Sequence, residues 1–189
     1  MGDRSQYAPG GAAGARVEKD GDRWTLILVR ELRHAPELVW EALTDPAQLS
    51  QWAPFDADRN LDTPGPVKFS LVNAPKPQVF DTTVRRAEPP RLLEYRWGDS
   101  DLRWQLEPLG MGTRLTLWHN IDRRFIAWGA AGWHICFDVL DRLLAGDPIG
   151  RIVGSEAIRF DWQRLNVEYA AQFGMDSPRW APPAAAPKS

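Results

Sequence analysis

Cysteine is almost absent from this 189-residue chain: Cys136 stands alone. A lone cysteine excludes an intrachain disulfide and any multi-cysteine metal site. An excess of positive charge is absent too. The 23 Lys and Arg against 25 Asp and Glu leave a formal charge of −2, so there is no electrostatic pull toward nucleic acid. Lysine is scarce (Lys19, Lys68, Lys76 and Lys188), with arginine supplying the remaining positive charge. The longest stretch without a charge, Phe125 to Phe137, falls short of the ~20 residues a membrane-spanning helix requires. The opening Met1-Gly2-Asp3-Arg4-Ser5 has no apolar core of the kind a secretory signal carries. Together these absences predict a protein of the reducing cytoplasm. Phosphate loops, dinucleotide fingerprints, HExxH and an ordered Ser-His-Asp set are missing as well, so no cofactor and no catalytic residue is assigned.

What is present is ordinary in bulk, with 43% apolar and 25% charged residues, the balance of a globular domain. The length suits one domain with ragged ends. Residues 1–20, rich in Gly and Ala without apolar periodicity, are expected to be a disordered tail, and the Pro- and Ala-rich 174–189 another. The folded body is thus 21–173. Trp24 to His34 reads as a strand, with Leu26, Leu28, Arg30 and Leu32 on one face. Pro36 suits the first position of a helix, and Asp45-Pro46 caps and restarts a second short one, ending at Trp52. From Val67 onward the period is two. Val67 to Leu71, Val79 to Ala87, Leu93 to Trp97, Leu102 to Leu106 and Leu115 to His119 are separated by turn residues, the pattern of an antiparallel meander with one apolar face. Helical spacing then returns, with Ala130, Trp133, Phe137, Leu140 and Leu144 on one stripe of a helix starting near Gly129 and ending at Gly146. A connector from Asp147 to Gly154 leads to a last helix over Phe160 to Phe173.

A sheet with one apolar face must bury it, and the helix from Gly129 is the only long element to cover it. Six strands span roughly 28 Å, whereas one helix covers about 10–12 Å. A sheet curled around that helix tends to leave apolar space inside, although a bulkier core could fill it.

Arg30-Glu-Leu-Arg-His-Ala-Pro-Glu-Leu-Val-Trp40, Ala42-Leu-Thr-Asp-Pro46 and Trp52 resemble the opening of SRPBCC proteins, and more closely the branch related to the activator of heat-shock protein 90 ATPase. Glu88-Pro-Pro-Arg-Leu-Leu-Glu-Tyr-Arg-Trp97, Gly112-Thr-Arg-Leu-Thr-Leu-Trp-His119 and Gly132-Trp-His134 follow that branch in order and spacing. The resemblance spans roughly Trp24 to Leu144. It implies an α+β helix-grip fold (START/SRPBCC-like): a curved antiparallel sheet of six to seven strands wrapped around a long C-terminal helix, with two short helices after the first strand. The extension over Asp147 to Phe173 goes beyond that pattern and is placed to cap or reshape a cavity mouth.

Ten tryptophans are several times the usual share. Trp97 and Trp104 share the inward parity of their strands and Trp133 the inner stripe of its helix, so they either line a pocket for a planar ligand or simply fill core volume. Arg30 and His119 are polar at inward positions. They would anchor a ligand carboxylate or hydroxyl, or close an internal ion pair with Asp81 or Glu107, or sit at strand ends in solvent. The expected cavity lining is Arg30, Trp52, Phe69, Tyr95, Trp97, Trp104, Leu117, His119, Trp133 and Phe137. His134 and Cys136, two apart on a helix, point in different directions and share no metal, so no metal site is assigned. Gly129 and Gly132 are expected to admit close packing or to form a hinge beside the cavity entrance.

Three functions fit these expectations. The first is binding of a small apolar molecule, the partner expected here, without nucleic acid or membrane span. The second is a co-chaperone role with a chaperone as protein partner, implied by the family branch. The third is cyclisation or dehydration of a polyketide-like substrate, with His119, Tyr95 or Arg30 polarising a carbonyl.

Overall fold

A computed structural model of the chain describes residues 2–73, 76 and 78–176. The proline-rich tail expected over 174–189 lies outside the described residues beyond position 176.

The N-terminal segment departs from the expectation of disorder. Ala15–Asp20 forms β1 and pairs with β2 (Arg23–Leu32) from Ala15↔Leu28 to Asp20↔Arg23. Gly21, at φ +56°, takes the left-handed backbone that this two-residue hairpin turn requires. Charged side chains such as Arg16, Glu18 and Lys19 suit an outer strand at the sheet edge, since the ladder is made by backbone groups whatever the side chains. Ahead of β1, Tyr7 is buried and its hydroxyl donates to Asp138 at 2.8 Å.

Two short helices follow as the sequence implies, α1 (Pro36–Thr44) and α2 (Pro46–Trp52). Asp45 ends the first and caps the second, accepting from the Ala47 N–H at 2.7 Å. A three-residue strand, β3 (Phe55–Ala57), comes next and is too short to carry an alternating pattern. The meander is β4 (Gly65–Leu71), β5 (Gln78–Glu88), β6 (Leu92–Trp97), β7 (Ser100–Leu109) and β8 (Gly112–Asn120). All pairings are antiparallel, and the sheet runs β1-β2-β8-β7-β6-β5-β4-β3. The sheet therefore has eight strands where six to seven were expected. The two additions are its outermost strands, where little apolar side chain is needed.

The long helix α3 (Ile126–Leu144) begins three residues before Gly129, because a 3-10 turn over Arg123–Phe125 leads directly into it. Its inner stripe presses Ala130, Trp133, Phe137 and Leu140 onto the apolar face of the sheet. That face is built from cross-strand rows, one of which is Leu28–Leu117–Trp104–Leu93 and the next Leu26–His119–Leu102–Tyr95–Val84. Beyond α3 the chain turns back, makes a 3-10 turn over Gly154–Phe160, and ends in α4 (Trp162–Phe173), which packs on α3. No helix among the described residues is long and apolar enough to cross a membrane.

Candidate functional site

The space between sheet and helix divides into a solid half and an open half. In the solid half Trp104 is fully buried, meeting Trp52 edge-on at 6.0 Å and Trp133 at 5.4 Å. Its indole donates to the Tyr95 hydroxyl at 2.9 Å. The Trp52 indole donates to the Ala42 carbonyl at 2.8 Å. Phe55 and Phe69 stack at 4.3 Å, and Tyr95 meets Phe69 at 5.3 Å. Every buried polar tip here has its partner, so these rings act as core.

The other half is a cleft of about 380 Å³, within the range of small-molecule sites. The sheet contributes Trp97 and His119, and α3 contributes Gly129, Gly132, Trp133 and Cys136. The returning chain closes the far wall with Ile152, Val153, Ala157 and Ile158, then Trp162 from α4. Trp128 and Trp162 meet edge-on at 5.3 Å, and Phe125 stands 43% exposed at the rim. Gly154 joins this wall at φ +61°, with so little room that an added Cβ would lie 2.8 Å from the Asn73 carbonyl. The wall thereby docks against the loop after β4. Among the described residues, no lining side chain is charged.

Gly132 shapes the volume. A Cβ built there would just touch the Trp162 indole nitrogen at 4.0 Å, so an alanine fits and a longer side chain would take up room beside Trp162 in the cleft. Gly129 is tighter, with Ile121 at 3.1 Å and Leu26 at 3.5 Å. Packing room and cleft volume thus both come from this helical pair.

His119 and Cys136 are the reactive side chains of the lining. Burial pushes His119 down to about 4, leaving it neutral, and pushes the Cys136 thiol up to about 12. A thiol held so far from ionisation is no nucleophile near neutral pH. The His119 ring accepts from the Trp133 indole at Nδ1, 3.0 Å away. Among the described residues, no three His, Cys, Asp or Glu side chains gather as a metal site would need.

Of the ten residues expected to line a cavity, Trp97, His119 and Trp133 border this cleft. Trp52, Phe69, Tyr95, Trp104, Leu117 and Phe137 are in the packed core instead, each at 2% exposure or less. Their inward parity is as expected, but aromatic volume fills that end. Arg30 does not reach the cleft. It pairs with Asp138 of α3 at 2.6 Å, not with Asp81 or Glu107, and its guanidinium lies 5.9 Å from the Phe137 ring. The ligand-anchor reading of Arg30 is therefore replaced by an ion pair between sheet and helix. Arg30→Met should cost about 1–2 kcal/mol of stability, a buried-pair loss discounted because both side chains keep some solvent contact. It should leave affinity for a cleft ligand unchanged; urea denaturation and a binding titration check the two halves.

Sequence reading missed Trp128, Cys136, Ile152, Val153, Ala157 and Trp162 as lining residues. For Ile152, Val153, Ala157 and Trp162 the pointer was the extension after Gly146, expected to cap or reshape a cavity mouth, whose apolar Ile149, Ile152 and Val153 are buried; Trp128 and Cys136 of α3 had no such signal.

A family model described as activator of Hsp90 ATPase homolog 1-like protein matches residues 33–145. No curated protein matches the chain. Among solved structures, a conserved protein of unknown function from Enterococcus faecalis is 14% identical with a TM-score of 0.64, over 84% of this chain and 89% of that one. CalU16 from Micromonospora echinospora is 24% identical with a TM-score of 0.60, over 87% and 98%. A protein from Bordetella parapertussis, solved by solution NMR, is 24% identical with a TM-score of 0.62, over 93% and 97%. These likenesses bear on the fold.

Proposed function

This chain belongs to the activator of Hsp90 ATPase homolog 1-like family, within the SRPBCC helix-grip superfamily, and on that premise we propose that it binds a small apolar molecule in the cleft beside α3. The observation that carries this reading is the lining itself: an aromatic and aliphatic wall around about 380 Å³, with no charged side chain among the described residues. Sites of this kind hold ligands by burial, with a few placed polar groups setting orientation. Trp97, Trp133 and Trp162 supply broad faces for a planar ring system, and His119 supplies the polar point.

Gly132 fits the same reading. Glycine inside a helix costs about 1 kcal/mol relative to alanine, and here its missing side chain leaves space open at the cleft. A single buried, un-ionised thiol fits residence in a reducing cytoplasm.

The test is a titration of the purified protein with 2-acetylnaphthalene followed by NMR, in the wild type, Gly132→Ala and Gly132→Leu. Saturable binding is expected in the first two and at least about tenfold weaker binding in Gly132→Leu, whose isobutyl group would occupy the ligand's space. Undiminished binding by a folded Gly132→Leu variant would sink the proposal.

A further inference from the structure

The hydrogen bond between Trp133 and His119 fixes which nitrogen of the imidazole carries the proton. An indole N–H only donates, and it meets His119 Nδ1 at 3.0 Å, so Nδ1 presents a lone pair. A neutral imidazole with a bare Nδ1 holds its hydrogen on Nε2. His119 is buried at 3% exposure, borders the cleft, and has no other hydrogen bond to the described residues. Its placement is firm: it lies in the cross-strand row between Leu26 and Leu102, with the Trp97 ring centroid 5.9 Å and the Trp133 centroid 6.1 Å from its own.

The rest of the lining limits what such a donor can recognise. Among the described residues, no lining side chain is a carboxylate, an amide, a hydroxyl or a cation. The side-chain nitrogens among these residues belong to indoles and this one imidazole, whose Nδ1 already accepts from Trp133, so none is left as an acceptor. An ionised ligand would lose its hydration without gaining a counter-charge among these residues, and a ligand whose polar group is only a donor would find no described side-chain acceptor stronger than the Cys136 sulfur.

We propose that His119 Nε2–H is the specificity-determining donor of the cleft, and that the ligand class is an uncharged aromatic molecule carrying an oxygen acceptor, such as an aryl ketone or ether. The assignment rests on the cleft's being a small-molecule site and adds the chemistry it selects. Burial supports it by holding the ring un-ionised at neutral pH, since a protonated ring would present a hydrogen at Nδ1 to the Trp133 N–H.

Three probes of nearly one shape test it: 2-acetylnaphthalene, 2-isopropenylnaphthalene and 2-naphthoate, titrated into the wild type by NMR at pH 7. The ketone should bind roughly three- to tenfold tighter than the alkene, the worth of one neutral hydrogen bond. The naphthoate should bind at least about 100-fold more weakly than the ketone, for want of a partner to its charge. The 15N spectrum of the free protein should show a pyridine-type Nδ1 and a pyrrole-type Nε2 for His119. In His119→Phe the preference for the ketone should vanish while alkene binding persists. Should that variant fail to fold, His119→Gln, with an amide oxygen for Trp133 and an amide N–H for the ligand, should keep the preference. Equal affinity for ketone and alkene, a protonated Nδ1, or tight naphthoate binding would overturn the His119 assignment and leave the cleft as a site. Failure of both neutral probes to bind would instead overturn the small-molecule reading beneath it.

Discussion

Replacing Trp104 with alanine should lower the unfolding free energy by about 3–5 kcal/mol, the range for a large aromatic removed from a packed core. Trp104 has no solvent exposure and makes ring contacts with Trp52, Trp133 and Phe137 at 6.0, 5.4 and 5.9 Å. Its removal opens a void between sheet and helix and takes away the indole N–H that the Tyr95 hydroxyl accepts. Tyr95 is itself fully desolvated, which pushes its phenol well above the ordinary range, so it stays a neutral group in need of a partner. Trp104→Phe keeps most of the volume but not the N–H, and should cost less. Urea unfolding followed by circular dichroism measures both. A loss under 1 kcal/mol for the alanine variant would mean that this half of the fold is less tightly filled than described.

Acidification should destabilise the protein by about 3 kcal/mol between pH 6.5 and pH 4, mostly through His119. An unfolded histidine titrates near 6.5, whereas burial holds the folded His119 at about 4. Above 6.5 the ring is neutral in both states and contributes no pH dependence. Below 6.5 the unfolded chain takes up a proton that the folded one refuses, so stability falls as pH drops and levels off near the folded value. His134 adds to the same trend, since burial lowers it despite the opposing charge of Asp138. The carboxylates that ion pairs hold low, such as Glu88 and Glu168, respond at still more acidic pH. In His119→Gln the slope between pH 6 and pH 4.5 should shrink to the His134 contribution. An unchanged slope would mean that His119 is protonated or solvated in the folded state.

The meander was legible because a period of two leaves no freedom about which face is apolar. From Val67 to His119 each run of alternating residues is a strand in the structure. Pro36 and Asp45-Pro46 are local signals whose effect does not depend on the rest of the chain, and α1 and α2 begin where they stand. β1 and β3 escaped for the opposite reason. One is mostly charged and the other three residues long, and both are held by backbone pairing to a neighbour. The candidate site was legible by parity alone. Trp97, His119 and Trp133 point inward as their strands and helix require, but so do Trp104 and Phe137, and parity does not say which end of the sheet the aromatic core fills. That depends on Trp52 arriving from α2 and on the return of residues 149–162 to wall off the other end. Arg30 shows the same limit: its partner, Asp138, lies 108 residues away, chosen by how β2 meets α3.

The central claim is that a small molecule sits inside the cleft and not merely against the surface. Isotope-filtered NOE spectroscopy of the labelled protein saturated with 2-acetylnaphthalene tests it most directly. Contacts from the ligand protons to the Trp97, Trp133 and Trp162 indoles and to the Ile152 methyls are the expected result. Contacts confined to exposed side chains such as Val79 or Met111, with those indoles silent, would contradict it.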